Sequence, residues 1–488
     1  MSPSPYEAWR LQNNCFSLNG SELSACAQRA AEHLFQVGVP QNARVGLCAQ
    51  NGPAWDVAQA ACWRLGASVV ALSPELSDAD LSSVVSNLDV KCVLTDRPAT
   101  GAFTVPTVQI GPLERLTDVP TRFDEEPMGS WDREALVTFT SGTTNRPRAI
   151  AYSHRQLRAA IDSIAGALGP IDQNDRTLCW LPLNNLFQRA INLVSFQSNI
   201  RVVYKPADVD VFTALKNVQP TIVIGVPRFY EKAVALGEDD LGGRARLAIT
   251  GSAASSRNII QHFEDRGILL LEAYGISESL VPIAANSPTE RRHGSVGKPL
   301  PGNDVRIADT GEIKVRGPGV FTGYLSGEPA RFDVDGFYNT GDRGYFDRDG
   351  FLYIAGRVDD VFKTSTGRKV DAAKIEAKLC SYASIDEAVV VGTDRKVVTA
   401  IVVGSADDRT GIVSGINRLN EELPSYERIA GILLSHRPFA ETSGLTTASG
   451  KLRKRVIIEH HSSEINDLYR SLDGAGRQPT VVVKKLKS

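Results

Sequence analysis

Five stretches of this sequence gather residue types that could handle a nucleotide. The first, Ala135-Leu-Val-Thr-Phe-Thr140-Ser-Gly-Thr-Thr-Asn-Arg-Pro-Arg148, runs from an apolar strand-like segment into a loop with four hydroxyl residues, one glycine and two arginines. Such a loop can wrap a polyphosphate, with N–H and hydroxyl donors facing the anion and cations behind them. It is not a Walker loop, because GxxxxGK[ST] is absent. The bland alternative is a polar surface turn, since such clusters are common in loops; taken alone, the phosphate reading is only slightly favoured. The second, Leu271-Glu-Ala-Tyr274-Gly-Ile-Ser277-Glu278, offers an aromatic ring for stacking on a purine. Its carboxylate beside a hydroxyl could hold Mg²⁺. The third, Tyr338-Asn-Thr-Gly-Asp342, is a tight turn presenting a carboxylate to sugar hydroxyls. The fourth, Gly356-Arg357-Val-Asp359-Asp-Val-Phe-Lys363-Thr-Ser-Thr-Gly367, reads as a linker followed by a glycine loop. The fifth, Thr446-Thr-Ala-Ser-Gly450-Lys451-Leu-Arg, presents one lysine on a flexible loop. Singly, the last four are ordinary strand ends, turns and solvated charges.

These segments need a scaffold, and the patterning supplies one. Helical periodicity over Ser21–Phe35, Trp55–Leu65 and a Ser77-capped stretch ending near Leu88 alternates with short apolar runs at Val45–Cys48, Ser68–Leu72 and Lys91–Leu94. Further buried strands are expected at Val202–Tyr204, Thr221–Gly225 and Arg246–Thr250. Strands alternating with helices imply crossover units and mostly parallel sheets, an α/β fold. From about residue 294 the texture turns to short β segments. Gly344–Phe346 and Phe351–Ile354 form a hairpin across Asp347-Arg-Asp-Gly350, a strong turn signal. After Arg357 comes an α+β texture: helix Ala372–Cys380, strands Glu387–Val391 and Val397–Val403, then a helix to Leu423. We expect a large N-terminal domain over residues 1–357, β-rich from about 294. A small mobile domain over 358–472 and a basic flexible tail over 473–488 follow.

With 488 residues, 42% hydrophobic and 23% charged, the composition is that of a globular protein of roughly three units. A net charge of −2 gives no general pull toward nucleic acid or anionic membrane. Seven scattered cysteines without a CxxC pair argue against a disulfide framework or a zinc site and fit a reducing cytoplasm. The N-terminus does not read as a signal peptide. No run approaches the ~20 apolar residues that span a bilayer.

In order and spacing the five segments resemble the signature of the adenylate-forming superfamily, comprising acyl-CoA synthetases, carrier-loading adenylation domains and luciferases. The resemblance runs from about residue 20 to 470. Leu181-Pro-Leu-Asn-Asn-Leu-Phe-Gln-Arg189, Val226-Pro-Arg-Phe-Tyr-Glu-Lys232, Lys363-Thr-Ser365 and Gly444-Leu-Thr446 are similar to the long-chain fatty acyl-CoA synthetase branch. The resemblance implies that ATP, Mg²⁺ and CoA are used. Thr140, Ser141, Gly142, Thr143, Thr144 and Arg148 would hold phosphates, and Thr140 and Glu278 the metal. Gly251, Ser252, Ala253, Ala254 and Tyr274 would form the adenine slot, Gly275 and Ser277 would also bind the nucleotide, and Asp342 and Arg357 would contact the ribose. Lys451 would bridge the substrate carboxylate and α-phosphate. Asp359 would be the hinge that exchanges Lys451 for the Gly367 loop in the thiol step. Asn185, Phe187, Ile276 and Gly367 would border the acyl and thiol tunnels.

Three positions depart from the pattern. Asn145 replaces the usual glycine, Arg148 a lysine, and Asn185 a histidine common in that branch. An arginine is not equivalent to a lysine as a phosphate ligand. Residues 184–192 contain no acid to pair with a substrate amine, which argues against an amino acid as substrate. Leu186, Phe187, Ile191 and Ile276 suggest an apolar tunnel and a fatty or other apolar acid. The acceptor could be free CoA or the phosphopantetheine of an acyl carrier protein. Two more distant readings are a degenerate nucleotide sensor and a phosphotransferase, the latter releasing ADP rather than AMP.

Overall fold

The computed structural model describes residues 17–97, 103–111, 131–140, 148–251, 253, 255–405, 408–442, 444–446, 452–474 and 482–485. By contacts the chain divides into two compact units. One comprises residues 1–140, 146–340 and 345–354; the other comprises 141–145, 341–344 and 355–488.

The first unit is built on large α/β sheets, as the alternating pattern predicts. In one, the strands run in the spatial order Ser17–Leu18, Arg201–Tyr204, Arg176–Cys179, Ile222–Gly225, Leu247–Thr250, Leu269–Tyr274, Ala284–Ala285 and Lys298–Pro299. Its central pairings are parallel: Ile222–Gly225 against Leu247–Thr250, and the latter against Leu269–Tyr274. The second has the order Thr107–Gln109, Cys92–Thr95, Arg44–Cys48, Ser68–Ala71, Glu134–Phe139, Ala149–Ser153. It is parallel except for its last pair, which is antiparallel. The strands in the middle are buried along their whole length, which is why they read as continuous apolar runs rather than alternation. A four-stranded sheet, Asp304–Ile307, Glu312–Arg316, Tyr338–Phe346 and Leu352–Arg357, forms the β-rich stretch. The expected turn is there: Gly350 takes φ +81°, and its N–H donates to the Asp347 carbonyl at 3.2 Å.

Local signals set the helix starts. Asn19 and Glu22 cap the helix Gly20–Gln36 reciprocally, each side chain accepting the other's backbone N–H at 2.9 Å. Ser77 accepts the Asp80 N–H ahead of Asp78–Asn87. Pro227 opens Pro227–Leu236 at its first turn, where a missing N–H costs nothing.

The second unit carries a sheet of Glu387–Val391, Val398–Val403, Ile429–Ser435 and Val482–Lys485, with a hairpin of Val361–Lys363 and Lys369–Asp371. Its core joins Val370, Ile375, Leu379, Val390, Ile412 and Ile432. One expectation is corrected here. The chain's end is not wholly a structureless tail, because Val482–Lys485 adds in parallel to Ile429–Ser435, with Gly431 opposite Val482. A β-branched Val-Val run beside an unpaired strand edge finds backbone partners despite the basic residues around it.

Candidate active site

Three segments of the first unit converge on Glu278. The strand Glu134–Phe139 leads to Thr140, whose N–H donates to the Arg148 carbonyl at 2.9 Å, closing the base of the hydroxyl-rich loop. Residues 141–147 of that loop, including Ser141, Gly142, Thr143 and Thr144, lie outside the described residues. Arg148 immediately precedes the return strand Ala149–Ser153. The strand Leu269–Tyr274 ends in a turn in which Ser279 N–H donates to the Ile276 carbonyl at 3.1 Å. The third segment pairs with that turn: Leu280 N–H reaches the Gly319 carbonyl at 2.8 Å and Phe321 N–H the Glu278 carbonyl at 2.9 Å. Gly319 makes this possible, since a Cβ there would stand 2.4 Å from the Val281 nitrogen. The same segment continues to Tyr324, which bridges Ile150, and Leu325 N–H donates to the Ala149 carbonyl at 3.0 Å.

These backbone links put side chains of all three segments together. The Tyr324 hydroxyl donates to Glu278 Oε1 at 2.8 Å and lies 3.2 Å from the Tyr338 hydroxyl. The Arg148 guanidinium stacks 4.0 Å from the centre of the Tyr324 ring. It stands 3.7 Å from both Glu278 and Glu328. The buried Tyr152 hydroxyl donates to the Ser277 carbonyl. Burial first, then the Tyr338 contact and the Glu278 charge, hold the Tyr324 hydroxyl far above the ordinary phenol range. Burial and the Glu278 charge hold Tyr152 well above that range and raise Tyr338 as well. These hydroxyls therefore stay protonated at neutral pH. Tyr152 and Tyr324 were not singled out from sequence, and Tyr338 was noted only as the start of the Asp342 turn. The Tyr324–Glu278 contact spans 46 residues, and no local pattern announces it.

The donors suit a hard cation and phosphate oxygens. Thr140 Oγ1 is buried without a hydrogen-bond partner among the described residues, as is Arg148 Nε. A hydroxyl and a carboxylate are both oxygen ligands of the kind that Mg²⁺ accepts. The expected base-binding residues line the sheet's carboxyl end. Gly251 follows Leu247–Thr250, where a Cβ would stand 3.2 Å from the Ala273 carbonyl oxygen. Ala253 and Gly275 are exposed; Ser252 and Ala254 lie outside the described residues. The Tyr274 ring is 9% exposed and belongs to the core cluster with Leu136, Tyr152 and Ile283.

The tunnel residues are not of one kind. Asn185 is exposed and caps the helix Leu186–Gln197, its Oδ1 accepting the Phe187 N–H at 3.0 Å, so this oxygen serves the helix start. Ile191, 3% exposed, is plain core. Phe187 packs against the cluster containing Ile164 and Ile224, whereas Leu186 and Ile276 pack against the one containing Leu136 and Tyr152. Leu186 also lines a small cavity with Leu136, Leu157, Ile161, Leu280 and Arg189. Arg189 is buried; its Nε donates to Gln59 Oε1, and Nη1 and Nη2 have no hydrogen-bond partner among the described residues. Nearby, Asp56 accepts from Asn192 Nδ2 at 2.8 Å and the Tyr204 hydroxyl at 2.6 Å, and burial pushes its carboxyl up to about 6.

In the second unit Arg357 Nη1 donates to Asp342 Oδ1 at 2.9 Å, and Val358 N–H to the Gly341 carbonyl at 2.8 Å. Asp342 is 8% exposed, so the two proposed ribose-binding residues form one preset pair. Asp359 is exposed in the turn before Val361–Lys363. Its neighbour Asp360 is anchored by Lys454, which also bonds Glu376. Gly367 takes φ +77° in the hairpin turn, its N–H donating to the Thr364 carbonyl at 2.9 Å. Lys451 lies outside the described residues.

The sequence profile described as "AMP-binding enzyme" matches residues 5–325, and that of the "AMP-binding enzyme C-terminal domain" matches residues 359–473. The chain belongs to the AMP-binding enzyme family, the adenylate-forming superfamily, and is an AMP-forming acid–thiol ligase. Among its relatives, the long-chain-fatty-acid–CoA ligase FadD15 of Mycobacterium bovis is 27% identical over 542 residues, covering 90% of each chain. The 2-succinylbenzoate–CoA ligase of Bacillus licheniformis is 30% identical over 389 residues, 76% of this chain and 80% of that one. The O-succinylbenzoate CoA synthetase of Bacillus subtilis, solved in complex with ATP and magnesium ion, matches with a TM-score of 0.74 and 26% identity. The match covers 89% of this chain and 93% of that one. ATP-bound MatB from Rhodopseudomonas palustris shares the fold, with a TM-score of 0.79 at 24% identity over 91% and 93% of the two chains. Among the described residues, no helix is long and apolar enough to cross a membrane.

Proposed function

We propose that this protein activates an apolar carboxylic acid, a fatty acid or a compact relative of one, as its acyl adenylate and hands the acyl group to the thiol of CoA. What supports the acid class is the aliphatic surface of Leu136, Leu157, Ile161, Leu186 and Leu280 beside the Glu278 segment; the void they enclose is only about 10 Å³, so an acyl chain would have to part them. Carboxylate and triphosphate repel each other, so the protein's task is to neutralise and position them. Mg²⁺, held by Thr140 and Glu278, would supply charge neutralisation at the phosphates. Arg148 and the hydroxyl loop would orient the phosphates, Asp342 and Arg357 the ribose, and Lys451 the carboxylate and α-phosphate. Asp359 would let the small domain turn between the two half-reactions. No residue forms a covalent intermediate: the carboxylate attacks the α-phosphate, pyrophosphate leaves, and the thiolate then displaces AMP.

Arg189 favours a second reading of the acid. This residue lines the same apolar cavity and its terminal nitrogens have no hydrogen-bond partner among the described residues, which would suit an acid with a distal carbonyl or carboxylate, in line with the 2-succinylbenzoate–CoA ligase relative. Pyrophosphate release across a panel of saturated fatty acids, aryl acids and dicarboxylic keto acids decides between them. A best rate with an unsubstituted alkyl acid supports the first reading, and a best rate with a distal acceptor supports the second. No acid-dependent release would remove both. Thioester formation with CoA alone, compared with CoA plus a phosphopantetheinylated carrier, identifies the acceptor.

A further inference from the structure

The carboxylate proposed to hold the metal is not a loose side chain. Glu278 Oε1 is taken by one hydroxyl donor, and the donor's ring is also the platform for the arginine beside it. We infer that Tyr324 is the positioning residue that presents Glu278 to the divalent cation. This rests on the reading of Glu278 as a metal ligand.

The geometry is built to make Tyr324 dependable in that task. Its backbone is fixed on one side by the bridge to Ile150 and on the other by the close pairing around Gly319. Its ring is held by Phe321 at 4.9 Å and by Arg148 at 4.0 Å. Its hydroxyl meets a second hydroxyl, that of Tyr338, at 3.2 Å, so the chain Tyr338–Tyr324–Glu278 can align with each O–H pointing toward the carboxylate. A carboxylate with one oxygen held this way has lost most of its rotational freedom before any cation arrives. Groups that hydrogen-bond a metal ligand and fix its orientation typically contribute 10- to 100-fold to metal affinity. The same oxygen lies 3.7 Å from the Arg148 guanidinium, beyond hydrogen-bond reach.

The test is Tyr324→Phe, which removes the oxygen and keeps the ring under Arg148. Mn²⁺ binding to the full-length protein in the presence of a non-hydrolysable ATP analogue, followed by electron paramagnetic resonance, should weaken roughly 10-fold or more. The Mg²⁺ concentration giving half-maximal pyrophosphate release should rise in parallel. Saturating Mg²⁺ should recover most of the rate. Tyr338→Phe, which removes only the outer hydroxyl, should shift binding less; an equal shift would trace the effect to general loosening of the aromatic cluster and overturn the inference. Glu278→Gln separates the two levels. Should it weaken Mn²⁺ binding while Tyr324→Phe does not, the positioning role alone fails. Should Glu278→Gln leave Mn²⁺ binding unchanged, the metal reading fails, and the inference with it.

Discussion

Lys454 Nζ lies 2.8 Å from Asp360 Oδ1 and 2.7 Å from Glu376 Oε2, tying the turn that contains Asp359 to the helix after the Lys451 segment. Although burial works against the charge on Lys454, its two carboxylate partners keep it well charged. Glu376 has a side chain only 9% exposed, and it also accepts the Val390 N–H at 2.9 Å. Lys454→Ala would leave this carboxylate buried without its counter-charge. Lys454 itself is 32% exposed, so the cost should fall between that of a surface pair and a buried one, about 2 kcal/mol. Chemical denaturation followed in the second unit would show it, and a midpoint equal to wild type would refute it.

Gly319→Ala should be disproportionately harmful for a single methyl group. The added carbon would sit 2.4 Å from the Val281 nitrogen, backbone that cannot step aside. The strand pairing that carries Glu278 must shift, so adenylation should fall at least tenfold, with loss of stability of roughly 1–3 kcal/mol. A variant with normal pyrophosphate release would mean that this pairing is dispensable.

Asp56 gives a pH dependence with a defined sign. Burial, partly offset by Tyr204 and Asn192, raises its folded pKa from 3.8 to about 6. The protonated form is therefore favoured by folding; this contribution is full below pH 3.8 and is lost as pH rises through about 6. At 1.36 kcal/mol per unit the span amounts to roughly 3 kcal/mol. The stability of wild type minus that of Asp56→Asn should thus decline between pH 4 and 6. A difference that stays flat or rises over that interval would show that Asp56 does not titrate there.

Asp359→Pro tests the hinge. Proline fixes φ near −65°, and Asp359 is exposed, so the fold should accept it. Pyrophosphate exchange should persist while thioester formation is blocked. Equal loss of both half-reactions would move the hinge elsewhere.

Lys451→Ala should leave the melting temperature unchanged and slow adenylation by roughly 10²–10³, the usual cost of one donor to a developing charge. Acyl adenylate supplied from outside should still be converted to thioester. A variant that adenylates normally would remove Lys451 from the first step.

Much of the scaffold was legible because its signals are local. Ser77 caps its helix, Asp347 to Gly350 turns its hairpin, and Glu387–Val391 is a strand over the expected residues. The return strand Ala149–Ser153, which pairs antiparallel with the nearby Glu134–Phe139 across the hydroxyl-rich loop, and the terminal strand Val482–Lys485, whose partner edge Ile429–Ser435 is far away in sequence, were both missed. At the candidate site the same division holds. Glu278, Asp342 and Arg357 sit in recognisable motifs, and the Asp342–Arg357 pair is formed. Tyr324 and Lys454 do not, because their importance lies in long-range contacts. Asn185 was read for chemistry when its nearest duty is to a helix N-terminus.

The parallel strand Val482–Lys485 has a consequence for how this chain can be shortened. It covers the outer edge of Ile429–Ser435, a run containing the buried Ile432, Leu433 and Leu434. Ending the chain before Val482 would bare those backbone donors and acceptors beside apolar side chains, the template on which strands of separate molecules add to one another. The last residues thus act as a guard against self-association, and a shortened protein should precipitate at concentrations the full chain tolerates.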